Sequence, residues 1–330
     1  MHYLGIEIGG TKLQLGIGPG DGTLKALWRG TVEPAQGADG IRRQITNGLP
    51  ELLAKAGLPL SEVCAVGVGF GGPVDDATHT VIKSHQIEGW DDFPLQDWIS
   101  DIVGLPAILG NDADCAGLGE ALFGAGKGLS PIFYITIGSG IGGGLIINGE
   151  IYRGCGRGAA EIGHLTIWPN YNSRLGKVTL EGYASGWGIC DEARHWLGSD
   201  DGMEELEGLA GRSLEKLTAE QIAQAAKRGN RFAQAVLDRA WECLASGIRD
   251  TITLLCPRRI VIGGGVSLMG EQLLFEPLRR LVAERVFKPF ANCYDIVPAA
   301  LGEEVVVHGA LALARRHFDE GGERSPSARG

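Results

Sequence analysis

Positive charge is in short supply in this chain. Lysine and arginine number 30 against 40 aspartates and glutamates, leaving a net charge of −10. That balance gives no broad attraction to nucleic acid or to an anionic membrane, so neither is expected as a partner. Local N–H groups can still hold an anionic ligand. Long apolar runs are also lacking. The most hydrophobic stretch, Ile132 to Ile147, is interrupted by five glycines, a threonine and a serine, which makes a poor membrane span. The seven cysteines, Cys64, Cys115, Cys155, Cys190, Cys243, Cys256 and Cys293, are scattered with no CxC or CxxC spacing. Neither a disulfide framework nor a zinc knuckle is expected, and reduced thiols in a cytosolic protein are the plain reading. The opening MHYLGIEIGG has no charged leader and no cleavable apolar core, so a secretory signal is not expected.

Glycine, by contrast, is abundant: 53 of 330 residues, in short clusters without a fixed period. Clusters of that kind point to backbone approaching a ligand closely, or to several tight turns. The length is enough for about two domains. Tyr3 to Ile8 alternates, turns through Gly9-Gly10-Thr11-Lys12 and resumes as a strand from Leu13 to Ile17, the pattern of a hairpin. A third strand near Leu24 to Val32, a helix over 39–56, a strand from Cys64 to Gly69 and another over 105–109 follow, and then a helix from Asn111 to Phe123. Pro131 to Ile137 and Leu145 to Ile147 read as strands joined by GSGIGGG. Later the pattern turns helical, with a capping box at Thr218-Ala219-Glu220-Gln221 and a long helix ending before Cys256-Pro257. Arg259 to Ile262 is a strand, followed by Gly263-Gly264-Gly265 and a further helix. Two strand–glycine turn–strand units, at 3–17 and 132–147, each open a block of strands and helices. They imply two similar lobes with a cleft between them.

Paired glycine turns suit a polyphosphate, because their N–H groups can approach its oxygens while Thr11 and Ser139 add hydroxyl donors. A lone GGTK turn is more often only a hairpin, and Lys12 reads equally well as a solvated strand lysine. Gly138, Gly140 and Gly143 match GxGxxG, but that fingerprint must lead from a strand into a helix. Here Leu145-Ile146-Ile147 follows, so a dinucleotide-binding reading is rejected. Asn111-Asp112 opens a helix and suits a cap; Asp112 equally suits a base that accepts a substrate hydroxyl proton. Glu161 and His164, three residues apart, could reach sugar hydroxyls, or serve only structure. Glu181 alone reads as a surface residue.

GIEIGGTK, GNDADCAGLGEALFGAGKG, TIGSGIGGGLIINGEIYRG, AAEIGHL, LEGYASG and VIGGGVS, in this order, resemble the ROK family of sugar kinases and sugar-responsive repressors, from residue 3 to about 313. The resemblance implies an α/β chain with the two-lobed, ribonuclease H-like actin-like ATPase fold and a nucleotide and sugar cleft between lobes. It implies a small lobe of residues 1–110 plus 303–319, a large lobe of 111–302 and a disordered tail, 320–330. The implied activity is ATP-dependent phosphorylation of a hexose, at O6 of glucose first, with fructose or N-acetylmannosamine as alternatives. Gly9, Gly10, Thr11 and Lys12 would form one phosphate turn, Gly138, Ser139 and Gly140 the other, with Gly264 and Gly265 beside the adenosine. Asp112 would be the catalytic base, and Gly72, Asn111, Glu161, His164 and Glu181 would surround the sugar. Family members are often homodimers in the cytoplasm.

Three departures stand out. A CxCGxxGC zinc segment is common after the GH dipeptide; here WPNYNSRLGKVT follows, without cysteine, so no structural zinc is predicted. Packing of Trp168 and Tyr171 would hold that loop instead. Glu7 stands where Asp is commoner, still a carboxylate able to contact magnesium. Gln86 falls on the usual asparagine of an Asn-x-x-Gly-Trp segment, which leaves the hexose open. A repressor would need a helix-turn-helix ahead of a strand that begins at Tyr3. A filament or chaperone ATPase would not need Glu161 and His164. A non-catalytic binder of sugar and ATP is opposed by an intact Asp112.

Overall fold

Period-two alternation in the first strands sorts side chains onto two faces, and everything in the first half of the chain follows from what each face buries. The computed structural model describes residues 1–84, 86–167, 178–195, 202–209, 211 and 214–320. Its strands are β1 (His2–Ile8), β2 (Lys12–Gly18), β3 (Ala26–Thr31), β4 (Val63–Phe70), β5 (Val74–Asp75), β6 (Thr80–Val81), β7 (Ala107–Asn111), β8 (Ile132–Ile137), β9 (Ile141–Ile147), β10 (Glu150–Ile151), β11 (Thr166–Ile167), β12 (Val178–Thr179), β13 (Arg259–Gly263) and β14 (Ile296–Pro298). Its helices are α1 (Gly37–Ala56), α2 (Leu95–Val103), α3 (Asp112–Phe123), α4 (Leu180–Ala184), α5 (Gly186–His195), α6 (Gly202–Leu209), α7 (Ala219–Lys227), α8 (Arg231–Leu255), α9 (Glu276–Arg285) and α10 (Val305–Arg315). Two compact units result: Met1–Ser130 with Gly144–Ala159 and Ala300–Gly330, and Pro131–Gly143 with Ala160–Ala299.

In the first unit the sheet order is β3-β2-β1-β4-β7, antiparallel across the hairpins and parallel from β1 to β4 to β7. Leu4, Ile6 and Ile8 join Val66, Val68 and Phe70 in a core shared with Ile41, Ile45 and Leu52 of α1 and Leu95 and Ile99 of α2. The opposite face carries Tyr3 and Ala65, packed on Val307, Leu311 and Ala314 of α10. Between α10 and its neighbours the backbones touch. A Cβ at Gly67 would stand 1.9 Å from the Ala310 carbonyl oxygen, and one at Gly309 would stand 1.7 Å from that of Cys115 in α3. A side chain at Gly67 would push α10 off the sheet and one at Gly309 would push it off α3, so these glycines serve helix packing and not a turn or a ligand.

The second sheet runs β10-β9-β8-β13-β14, and the division between units falls within β9. In the second unit β13 pairs in parallel with β8 and β14. The long helix α8 starts at Asn230, whose Oδ1 accepts from Ala233 N–H at 2.8 Å, and it buries Trp241, Leu244 and Ile248. The capping box holds: the Thr218 and Gln221 side chains bond reciprocally at the start of α7.

Two segments differ from the sequence reading. β9 begins at Ile141 and not Leu145, because Ile141 is buried and already strand-paired, which shortens the turn to Gly138-Ser139-Gly140. Nor does an α-helix follow Gly265 at once. A 3₁₀ turn (Gly265–Met269) and a π turn (Glu271–Phe275) intervene, bounded by Gly264 and Gly270 at φ +83° and +81°. Positive φ at both glycines ends regular helix there. The tail 321–330 and the loop bearing Trp168 and Tyr171 lie outside the described residues.

Candidate active site

Parallel pairing aligns the ends of three strands in the first unit: Ile8 is level with Phe70, and Phe70 with Asn111. Strand ends in an open parallel sheet are where such folds gather ligands. Gly9 N–H closes the first hairpin on the Lys12 carbonyl at 2.9 Å, and Gly71 N–H bonds the Ile8 carbonyl at 2.8 Å. Asn111 is both a cap and a tie. Its Oδ1 accepts from Ala113 and Asp114 N–H at 2.8 and 3.3 Å, while its Nδ2 donates to the Gly72 carbonyl at 3.0 Å. Asp112 follows in the first turn of α3, with Oδ1 accepting from Ala113 N–H at 2.8 Å. Its Oδ2 lies against Gly71, 3.3 Å from where a Cβ would stand, and that same point is 3.3 Å from Gly9 Cα. The sheet therefore brings Gly9, Gly71, Gly72, Asn111 and Asp112 together.

Glu7 shares a sheet face with Gly5 and stands opposite Gln14 in the hairpin register. It is 8% exposed. Burial first, and then the Asp112 carboxylate, push its pKa up to about 7 against the opposing pull of Lys12 and Gln14. Gln14 Nε2 donates to Glu7 Oε2 and to the Glu303 carbonyl, each at 2.9 Å. Lys12, half-exposed, pairs with Glu303 at 3.3 Å, and Thr11 is exposed beside it. Gln86 lies over the turn, its Oε1 only 1.5 Å from where a Cβ at Gly10 would be. A buried carboxylate whose proton affinity a second carboxylate raises suits a hard divalent cation, whose charge would offset the repulsion.

The second unit holds the other turn. Gly138 N–H bonds the Gly140 carbonyl at 2.9 Å, and Gly186 N–H bonds the Gly138 carbonyl at 2.8 Å. Glu181, in the first turn of α4, accepts from Ile141 N–H through Oε2 at 2.7 Å. That oxygen would stand 2.4 Å from a Cβ at Gly140, so only glycine admits the carboxylate there. Thr179 Oγ1 caps α4 by accepting from Gly182 N–H at 3.2 Å. Because β13 runs beside β8, Gly264 comes level with Ile137, where a Cβ would meet the Ile137 carbonyl oxygen at 2.5 Å. Gly265 opens the following 3₁₀ turn. Glu161 and His164, both exposed, flank the buried Ile162 and Gly163 in a turn closed by His164 N–H on the Glu161 carbonyl at 3.1 Å. Gly163 backs onto β9, since its Cβ would come within 2.1 Å of the Ile141 carbonyl oxygen. The Gly138–Gly140 turn, Gly264 and Gly265, Glu181 and the Glu161–His164 turn are thus tied to the ends of β8, β9 and β13.

Sequence reasoning missed Gln14, which orients Glu7, and Glu120, a fully buried carboxylate on α3. Glu120 lies within GNDADCAGLGEALFGAGKG but was not singled out there, and Gln14 falls just past GIEIGGTK. The only signal for Gln14 was its place opposite Glu7 across a hairpin whose register was already evident.

The ROK family model matches residues 3–317. A glucokinase of Thermotoga maritima is 32% identical over 96% of this chain and 98% of its own, and one of Halalkalibacterium halodurans is 32% identical over 95% of each. The crystal structure of a ROK family glucokinase from Streptomyces griseus in complex with glucose and AMPPNP is 31% identical, with a TM-score of 0.78 over 96% of this chain and 100% of that one. A ROK hexokinase from Thermus thermophilus, 24% identical, shares the fold at a TM-score of 0.80 over 97% and 100%. That fold is the two-lobed actin-like ATPase fold of ROK sugar kinases. The six motifs, the strand order and these likenesses run the same length of sequence, and the chain belongs to the ROK family.

Proposed function

We propose that the protein is an ATP-dependent hexose kinase that phosphorylates glucose at O6. The observation that carries this reading is the full-length likeness to glucokinases, joined to an Asp112 carboxylate held against the first glycine turn. Asp112 takes the proton of the sugar hydroxyl as that oxygen attacks the γ-phosphorus. The new O–P bond forms, the bond from γ-phosphorus to the β,γ-bridging oxygen breaks, and ADP departs with that electron pair. Little covalent chemistry is asked of the protein, so positioning and charge stabilisation dominate.

In the first unit, Gly9, Gly10 and Thr11 offer donors to phosphate, Lys12 adds charge at the rim, and Gly72, Asn111 and Asp112 take sugar hydroxyls. In the second, Gly138, Ser139 and Gly140 meet phosphate, Gly264 and Gly265 lie by adenosine, and Glu161, His164 and Glu181 serve the sugar. Glu7 is the carboxylate for the magnesium that accompanies ATP, and the cation would neutralise charge on the β- and γ-phosphates. No helix among the described residues is long and apolar enough to cross a membrane. We place the enzyme in the cytoplasm, where ATP is supplied, as a homodimer whose mass light scattering would read.

Glu7 and Gln86 keep fructose and N-acetylmannosamine among the substrates to try. A coupled ADP-release assay with Mg·ATP over glucose, fructose, mannose, N-acetylmannosamine and N-acetylglucosamine tests the reading. Glucose-dependent turnover is expected, falling about 10²–10⁴-fold in Asp112→Asn with folding intact. Absence of turnover with every one of these sugars, despite measurable ATP binding, would favour a non-catalytic regulator.

A further inference from the structure

Behind β7, in the first unit, the structure contains a cavity of about 560 Å³. None of the residues discussed for phosphoryl transfer lines it. Its apolar floor comes from Ile108 on β7, Leu118 on α3 and Leu313 on α10. Around that floor stand four basic side chains, Arg153, Arg316, His79 and His317. Arg153 is ion-paired with Asp76, and Arg316 with Glu150 at 2.5 Å. A guanidinium has five N–H donors, so one carboxylate leaves it able to bind a second anion.

His317 stands within electrostatic reach of two of the other basic groups. Burial first, and then Arg153 and His79, hold its pKa below the ordinary histidine value. An anion placed among these groups would offset that repulsion. His79 adopts φ +58° at the end of the tight turn that joins β5 to β6. The cavity also touches β7, the strand that leads into the candidate base. Gln96 Oε1 accepts from Leu109 N–H at 3.0 Å, and an Arg153 guanidinium nitrogen lies 3.7 Å from where a Cβ at Gly110 would stand, one residue before Asn111.

We propose that this cavity is a second ligand site, for a phosphomonoester carried on a hydroxylated small molecule, with hexose phosphates as the ligand class. The basic quartet takes the phosphate. Asp76, Glu150 and Gln96 take hydroxyls, and the apolar floor takes the C–H face of the ring. A bare phosphate would fill a small part of the volume. Under the glucokinase reading the class includes the reaction product, whose binding would bear on β7 just ahead of Asp112; the binding claim stands without that reading.

Calorimetry on the full chain, saturated with glucose and AMPPNP to occupy the site of phosphoryl transfer, tests it. Glucose 6-phosphate should bind with a stoichiometry near one per chain, and Arg316→Met or His317→Gln should weaken it about tenfold or more. Thermal melts would verify that both variants fold, and His79→Gln, at an exposed position, gives a third probe if either does not. Binding equally tight in all folded variants would overturn the proposal. Inorganic phosphate binding as tightly as glucose 6-phosphate would overturn the hydroxylated-ligand part. Loss of binding in the variants would support the site even if the coupled assay found no kinase turnover, so the two failures are separable.

Discussion

Glu7 buries a carboxylate beside another carboxylate, and its proton affinity records the consequence. Its folded pKa is about 7 against an ordinary value of 4.5. Between those two values the folded chain keeps a proton that the unfolded chain releases, so folding weakens as pH rises through that window. Replacing Glu7 with glutamine removes the buried charge. Glu7→Gln should melt about 2–8 °C above wild type at pH 8, the gain shrinking toward pH 5, as thermal melts across that range would show. The same variant should lose turnover if Glu7 serves the cation. Asn111 and Asp112 were legible because a strand, an Asn-Asp pair and a helix stood together, and the structure gives Asn111 its capping role and its bond to Gly72 at once. Gln86 was noticed only as a departure from a family pattern; that its amide covers Gly10 needed the fold, since 76 positions separate them.

At the level of elements, the hairpin of β1 and β2 and the strand-to-strand path through Gly138 were readable from alternation and from where helices failed to begin. Harder to read was which glycines turn, which make room for a side chain and which let helices touch sheets. Gly138 and Gly140 separate these cases within one turn. A Cβ at Gly138 would meet nothing within 4 Å, whereas one at Gly140 would force the Glu181 carboxylate off Ile141 N–H. Gly140→Ala should therefore raise the KM for ATP or glucose about tenfold with a small change in melting temperature. Gly138→Ala should leave stability unchanged, so the pair of variants distinguishes a displaced carboxylate from general stiffening of the turn. The helix expected directly after Gly265 begins only at Glu276, because two glycines with positive φ interrupt an otherwise apolar, helix-like run.

Over the whole molecule, the chain leaves the first unit after Ser130, re-enters it over Gly144–Ala159, and makes its final return at Ala300. One residue secures the return. Glu120 is fully buried and accepts from Ala125, Ala300 and Leu301 N–H at 2.7, 2.9 and 2.8 Å. Glutamine at this position would bring its own N–H groups against those donors and leave buried amides unsatisfied, at about 1–3 kcal/mol each. Glu120→Gln should lower the melting temperature by about 5 °C or more while leaving the KM for glucose little changed, as melts and kinetics together would show. A two-lobed fold was legible from two glycine hairpins. The return of the C-terminal segment came only from family resemblance, because its contact at Gly67 and Gly309 is backbone on backbone and leaves no periodic trace.

That return has a consequence for how the protein is made. While a ribosome is still adding the second unit, β1 and β4 already exist, but Val307, Leu311 and Ala314, which cover Tyr3 and Ala65, have yet to be synthesised. The first sheet must therefore wait, half-clothed, through most of translation. Nascent chains halted before Val305 would present a bare apolar sheet face to chaperones or to one another.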